Sequence, residues 1–111
     1  MTVTVQVLVP AKTVENAQTT QYTSTGVTTI IDKFTATNYS AAAATISVNL
    51  VTSAGAAGNA NLITKTKTLQ PSEVYTFPEL VGQVLGIGDF ISTIAGTASA
   101  INMRVSGRVV T

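Results

Sequence analysis

The chain has 111 residues, of which 45% are hydrophobic and 10% are charged, and its formal net charge is +1. This length is enough for one hydrophobic core, and we expect a single domain spanning residues 1–111. The near-neutral charge argues against nucleic acid or a membrane as partner, and the absence of histidine and cysteine argues against an enzyme, a cofactor or a bound metal.

The first half of the chain contains four predicted strands. Residues 3–9 alternate in polarity, which predicts a strand that buries every second side chain and ends at Pro10. The side chains predicted to be buried are those of Val3, Val5, Val7 and Val9. Three further segments, rich in β-branched or aromatic residues or alternating in polarity, predict strands at residues 17–24, 28–37 and 44–51.

The second half continues the pattern after a glycine-rich loop at residues 53–59. Strands are predicted at residues 62–69, 74–77, 89–95 and 101–109. Alternation in the first of these places Lys65 and Lys67 on one strand face, and alternation in the last places Arg104 and Arg108 on its outer face.

Residues 78–85 differ from their surroundings. Pro78 and Glu79 suit the first turn of a helix, and the apolar residues that follow have helical spacing, so one or two turns of helix are predicted there.

About eight short antiparallel strands, with at most one short helix, are typical of an all-β sandwich. A jelly-roll-like sandwich of two four-stranded sheets fits the count best. An immunoglobulin-like sandwich remains the alternative, because strand number does not determine topology.

The candidate interface residues are basic. Lys65, Lys67, Arg104 and Arg108 are four of the six basic residues and could dock onto an acidic protein surface. The alternative is four separately solvated charges. A surface with so few charges also gives weak protection against self-association, which predicts a homodimer or small oligomer.

No catalytic residue is predicted. The segment 86–88 has only two glycines and is expected to be a turn instead of a phosphate-binding loop. The carboxylates fall in different segments and are expected to be solvated; they are Glu15, Asp32, Glu73, Glu79 and Asp89.

Three segments, residues 1–11, 31–38 and 88–108, resemble the capsid staple, or cement, proteins of short-tailed bacteriophages. The resemblance implies a jelly-roll decoration protein without enzymatic activity. It would be made in the host cytoplasm and bound to the outside of the icosahedral shell, where it bridges neighbouring copies of the major capsid protein. The main alternative is a receptor- or glycan-binding module of a tail appendage, and a weaker one is an enzyme that relies on carboxylates.

Overall fold

Nine strands and one 3-10 turn make up the regular structure, and no α-helix is present. The computed structural model describes every residue from Met1 to Thr111. The strands are β1 (Val3–Thr13), β2 (Thr19–Thr23), β3 (Thr28–Asn38), β4 (Ala44–Val51), β5 (Leu62–Leu69), β6 (Val74–Tyr75), β7 (Val84–Leu85), β8 (Phe90–Ala95) and β9 (Ile101–Val110). The 3-10 turn spans Asn59–Asn61 and precedes β5.

The strands form two antiparallel sheets that pack as a sandwich. The first sheet has the order β1-β9-β3-β6, with β7 also paired to β3, and the second has the order β2-β8-β4-β5. Successive strands therefore alternate between the sheets except at β4–β5 and β6–β7, and the first and last strands are neighbours. This is the jelly-roll arrangement, whereas an immunoglobulin sandwich keeps its first two strands in one sheet. The prediction of an all-β jelly-roll-like sandwich is confirmed.

The core lies between the inner faces of the two sheets. Twenty buried apolar residues form one cluster, to which β3 and β9 contribute from the first sheet and β4 and β8 from the second. Phe34 and Phe77 are fully buried at its centre, with ring centroids 4.5 Å apart. Burying an apolar side chain of this kind contributes about 1.5–3 kcal/mol, so the core is the main source of stability.

The structure of β1 differs from the prediction that Val3, Val5, Val7 and Val9 are all buried. Val3, Val5 and Val7 are exposed, whereas Leu8 and Val9 are both buried. The pairing of β1 with β9 shifts between Val7 and Val9, and such a bulge moves the following side chains to the other face of the sheet. The strand also continues past Pro10 to Thr13, because an edge strand can accommodate a residue without an N–H donor.

Strand β5 also contains a bulge, centred on Thr66. Thr66 has a positive φ of 43°, and its N–H donates to the Ser47 hydroxyl at 2.8 Å instead of to a main-chain carbonyl. Its pairing with β4 is irregular at the same place. The extra residue separates Lys65 from Lys67, so the prediction that they share a strand face is wrong.

Residues 78–85 do not form the predicted helix. The main-chain groups of Gly82 and Gln83 pair with those of Ile31 in β3, at 2.7 and 3.0 Å, which leaves them unavailable for a helical turn. Gly82 has a φ of +87°, a conformation that interrupts a right-handed helix and that glycine adopts readily. The segment is a turn that leads into β7.

Candidate binding surface

Apolar side chains cover part of the outer face of the first sheet. Directly opposed residues of neighbouring strands share a face, and the pairings align Val5, Arg108, Ile30 and Val84 in one row across β1, β9, β3 and β7. Val5 is 78% exposed and Val84 is 57% exposed. We call this surface the valine face; its apolar members are Val3, Val5, Val7, Ile30, Val84 and Val110.

An ion pair lies within the valine face. The Arg108 guanidinium donates to both carboxylate oxygens of Asp32, from Nε and Nη2, with the shorter contacts at 2.9 Å. This hydrogen bonding raises the pKa of Arg108. Because the two charges neutralise each other locally, Arg108 is not a free cation for an acidic partner. The pair itself adds no net charge, whereas Lys33, exposed on the same outer face opposite Ser106, has no carboxylate within ion-pair distance.

A groove lies at the other end of the same outer face. Its volume is about 430 Å³. Tyr39, 53% exposed, lines it together with Thr13, whose hydroxyl donates to the Asn102 amide oxygen at 3.2 Å. Arg104 also lines the groove and has no carboxylate within ion-pair distance. The remaining lining residues are Ala11, Thr35, Thr37 and Met103.

The four basic candidates therefore lie in different places. Arg104 and Arg108 are on β9 in the first sheet, while Lys65 and Lys67 are on β5, the edge of the second sheet. Lys65 lines a shallow depression on that sheet, and the Lys67 ammonium lies 4.7 Å from the centroid of the Tyr75 ring. The structure brings no three of these residues into one basic patch.

Lys67 belongs to a cluster around Glu79. The Tyr75 hydroxyl donates to Glu79 at 2.6 Å, and the Thr64 hydroxyl donates to the other carboxylate oxygen. Burial raises the pKa of Glu79, but these two hydrogen bonds and the Lys67 charge outweigh it, so that the pKa is lowered. The hydrogen bond to Glu79, aided by burial, raises the pKa of Tyr75 to about 12. No sequence pattern indicates this cluster, because its members come from three separate segments.

An alkaline titration tests this cluster. A tyrosine whose pKa is raised on folding stabilises the fold fully below its unfolded value of 10.0, and this contribution is lost as the pH rises towards 12. We expect phenolate absorbance to include a step near pH 12 that Tyr75→Phe removes and Tyr39→Phe leaves in place. A step near pH 12 that survives in Tyr75→Phe would contradict the assignment.

The outer face of the second sheet differs from the valine face. Most of its side chains are polar, although Ile94 lies opposite Ser47 there. Several of the polar ones are buried in a network in which Asn49 donates to the Gly58 carbonyl and to Asn61, at 3.0 and 2.6 Å. Gln18 donates to the Ser92 hydroxyl at 2.8 Å in the same network. These groups satisfy one another within the chain, whereas the apolar side chains of the valine face are exposed or half-buried and no other part of the chain covers them.

No protein-family model, curated protein or solved structure matches this chain. The structure contains no helix that is long and apolar enough to span a membrane, and no cluster of three or more acidic side chains that could hold a metal ion. Sequence reasoning missed the valine face as a surface because it assigned three of its members to the core. The alternation in residues 3–9 nevertheless indicates that Val3, Val5 and Val7 share one side of the strand.

Proposed function

We propose that this chain is a structural virion protein, a capsid decoration or staple that binds the outside of an icosahedral shell. It bridges neighbouring copies of the major capsid protein and performs no catalysis. The observation that carries the proposal is the valine face, a group of uncovered apolar side chains that surround the Arg108–Asp32 pair on the outer face of the first sheet. The resemblance of three sequence segments to the staple proteins of short-tailed phages supplies the identity of the partner.

The valine face supports binding to protein because of its chemistry. Apolar surface removed from water contributes about 25 cal/mol per Å², and contiguous exposed apolar patches are typical of interaction sites. The Arg108–Asp32 pair within it offers hydrogen-bonding atoms while adding no net charge. An apolar surface of this kind fits a partner of similar character better than it fits an acidic one.

The shape of the molecule supports bridging. Its principal extents are 46 × 26 × 20 Å, and the groove and the valine face occupy opposite ends of the long strand β9. Two contacts on one small domain allow the second to form intramolecularly, which can raise avidity by about 10² to 10⁴. Since such a staple binds the closed shell and not its separated subunits, it shifts the equilibrium towards the intact particle.

The groove favours a second candidate function, a receptor- or glycan-binding module of a tail appendage. Tyr39 offers an exposed aromatic ring, and the hydroxyl groups of Thr13 and Thr35 and the amide of Asn102 surround it. Sugars bind to such combinations of a ring with hydrogen-bonding side chains. This candidate predicts binding to isolated glycans that depends on Tyr39 and does not need an assembled shell.

A melting scan of undecorated phage shells tests the staple function. We expect added protein to raise the melting temperature of shells made of the major capsid protein and to pellet with them. Val84→Lys should weaken this binding by at least about tenfold, because it places a charge in the apolar interface. Ile63→Lys makes the same type of change at an exposed position of β5. It is the matched control and should bind normally.

Equal melting of bare and protein-treated shells would exclude the staple function. Binding to isolated glycans that Tyr39→Ala abolishes, with no binding to shells, would establish the second candidate instead.

A further inference from the structure

The free edge of β1 offers main-chain hydrogen-bonding groups. Thr2 and Thr111 exchange both main-chain hydrogen bonds, at 3.1 and 2.9 Å. In an antiparallel pair such exchanges recur at every second residue, so the regular pairing that follows turns the N–H and C=O groups of Val3, Val5 and Val7 away from β9. These groups lie at the edge of the first sheet, where no other strand of the chain pairs with them.

The other sheet edges have features that discourage pairing with another chain. Strand β5 carries the bulge at Thr66 and two lysines, and β2 has five residues with an irregularity between Thr20 and Tyr22. Strands β6 and β7 have two residues each. Bulges, lysines and short length are the usual means by which proteins block their edges. Residues 3–7 of β1 contain no bulge, proline or lysine, and the bulge, Pro10 and Lys12 of this strand all come after them.

Both faces of this segment are open to a partner. The side chains of Thr4 and Gln6 point to the opposite face from the three valines, yet they are exposed too, so the second sheet does not cover this end of β1. The first charged side chain of the chain is that of Lys12. Neither bulk nor side-chain charge therefore hinders the approach of another strand.

We propose that a second copy of this chain pairs with residues 3–7 of β1, antiparallel and about a two-fold axis at Val5. The segment Val-Thr-Val-Gln-Val has the same apolar pattern in both directions, which makes it complementary to itself under such an axis. Val5 then lies opposite the partner's Val5, and Val3 opposite the partner's Val7. About six main-chain hydrogen bonds form across the axis.

The dimer extends the first sheet through both copies. The valines of the two β1 strands form cross-strand pairs on the outer face, so the two valine faces become one continuous surface. The contact is small, and interfaces below about 1,200 Å² are typically weak, so we expect dissociation in the micromolar range. The inference stands on the edge geometry and does not require the capsid role.

Sedimentation of the full chain tests this inference. We expect a monomer–dimer equilibrium and a dissociation constant that Val5→Pro raises by about a hundredfold, because proline removes the central donor and blocks the approach of the second strand. The intramolecular sheet should survive, since the N–H of Val5 does not pair with β9. Val5→Lys gives a second test without a backbone change. Val84→Lys, a matched change elsewhere on the valine face, should leave the dimer intact.

Amide hydrogen exchange distinguishes edge pairing from face-to-face packing. Edge pairing slows exchange at the amides of Val3, Val5 and Val7 as the protein concentration rises, whereas face packing does not. A wild-type chain that stays monomeric at millimolar concentration would overturn the proposal, as would a dimer that Val84→Lys disrupts and Val5→Pro does not. If these amides were protected only when the protein is bound to shells, the partner of the β1 edge would be the capsid protein and not a second copy, which would likewise overturn the proposal.

Discussion

Gly107→Ala should lower the free energy of unfolding by about 3 kcal/mol or more. A Cβ atom at this position would overlap the carbonyl oxygen of Ile30 and lie 2.9 Å from the Leu8 side chain. Because the first obstacle is main chain, the overlap cannot be relieved by a rotamer change. Strand β9 would have to move away from β3, and β1 on its other side limits that movement.

Gly58→Ala is the matched control for this change. Gly58 has an extended backbone with φ of −167°, and no atom lies within 4 Å of its added Cβ. The free energy of unfolding of the Gly58→Ala protein should stay unchanged or rise by up to about 1 kcal/mol, since alanine restricts the conformations of the unfolded chain. Urea unfolding curves of both variants provide the measurement. The predicted overlap would be contradicted if the free energy of unfolding of Gly107→Ala lay within about 1 kcal/mol of the wild-type value, which is roughly the precision of such curves.

Asn38→Asp should destabilise the fold by about 3–5 kcal/mol at neutral pH. Asn38 is fully buried at the end of β3, and its amide nitrogen donates to the carbonyls of Ala42 and Leu69 at 2.8 and 2.9 Å. Its amide oxygen accepts from the N–H and the hydroxyl of Ser40. The substitution replaces two donated hydrogen bonds with a buried negative oxygen that faces two carbonyl oxygens.

The pH dependence of this variant provides a further check. Protonation at acidic pH removes the charge and restores one donor, so the loss of stability relative to the wild type should shrink as the pH falls. Asn59→Asp, the same change at an exposed position, should alter stability by no more than about 0.5 kcal/mol. Chemical unfolding at neutral and acidic pH measures both variants. Equal losses for Asn38→Asp and Asn59→Asp would show that the amide of Asn38 does not hold the two sheets together.

The sequence predicted the strands best where alternation and pairing are regular. The alternating apolar residues of β9, Ile101, Met103, Val105 and Val109, are all buried, as the sequence predicts. Of the four in β4, Ala44, Ile46 and Val48 are buried and Leu50 is half-buried. Alternation works there because central strands have neighbours on both sides that keep the register. It failed at the bulges of β1 and β5, which depend on the geometry of the partner strand and leave no signal in local polarity.

The candidate surface could be predicted only in part. Alternation indicates that the two faces of a strand differ, but not which face another sheet covers. Val3, Val5 and Val7 therefore looked like core residues, although they form the exposed face of an edge strand. The basic candidates were chosen by charge, and their positions depend on strand order, which places β5 and β9 in different sheets. Strand order arises from long-range pairing that a single sequence does not specify.

The position of β9 between β1 and β3 also has a consequence for folding. Every long pairing of the first sheet involves β9, the strand that the ribosome makes last of the nine. Strands β1 and β3 thus have no long partner within their sheet until synthesis reaches residues 101–110, and closing such distant pairs is slow. The second sheet, β2-β8-β4-β5, is complete in sequence before β9, so we expect the emerging chain to form at most that sheet, whose apolar inner face depends on chaperones until β9 is inserted.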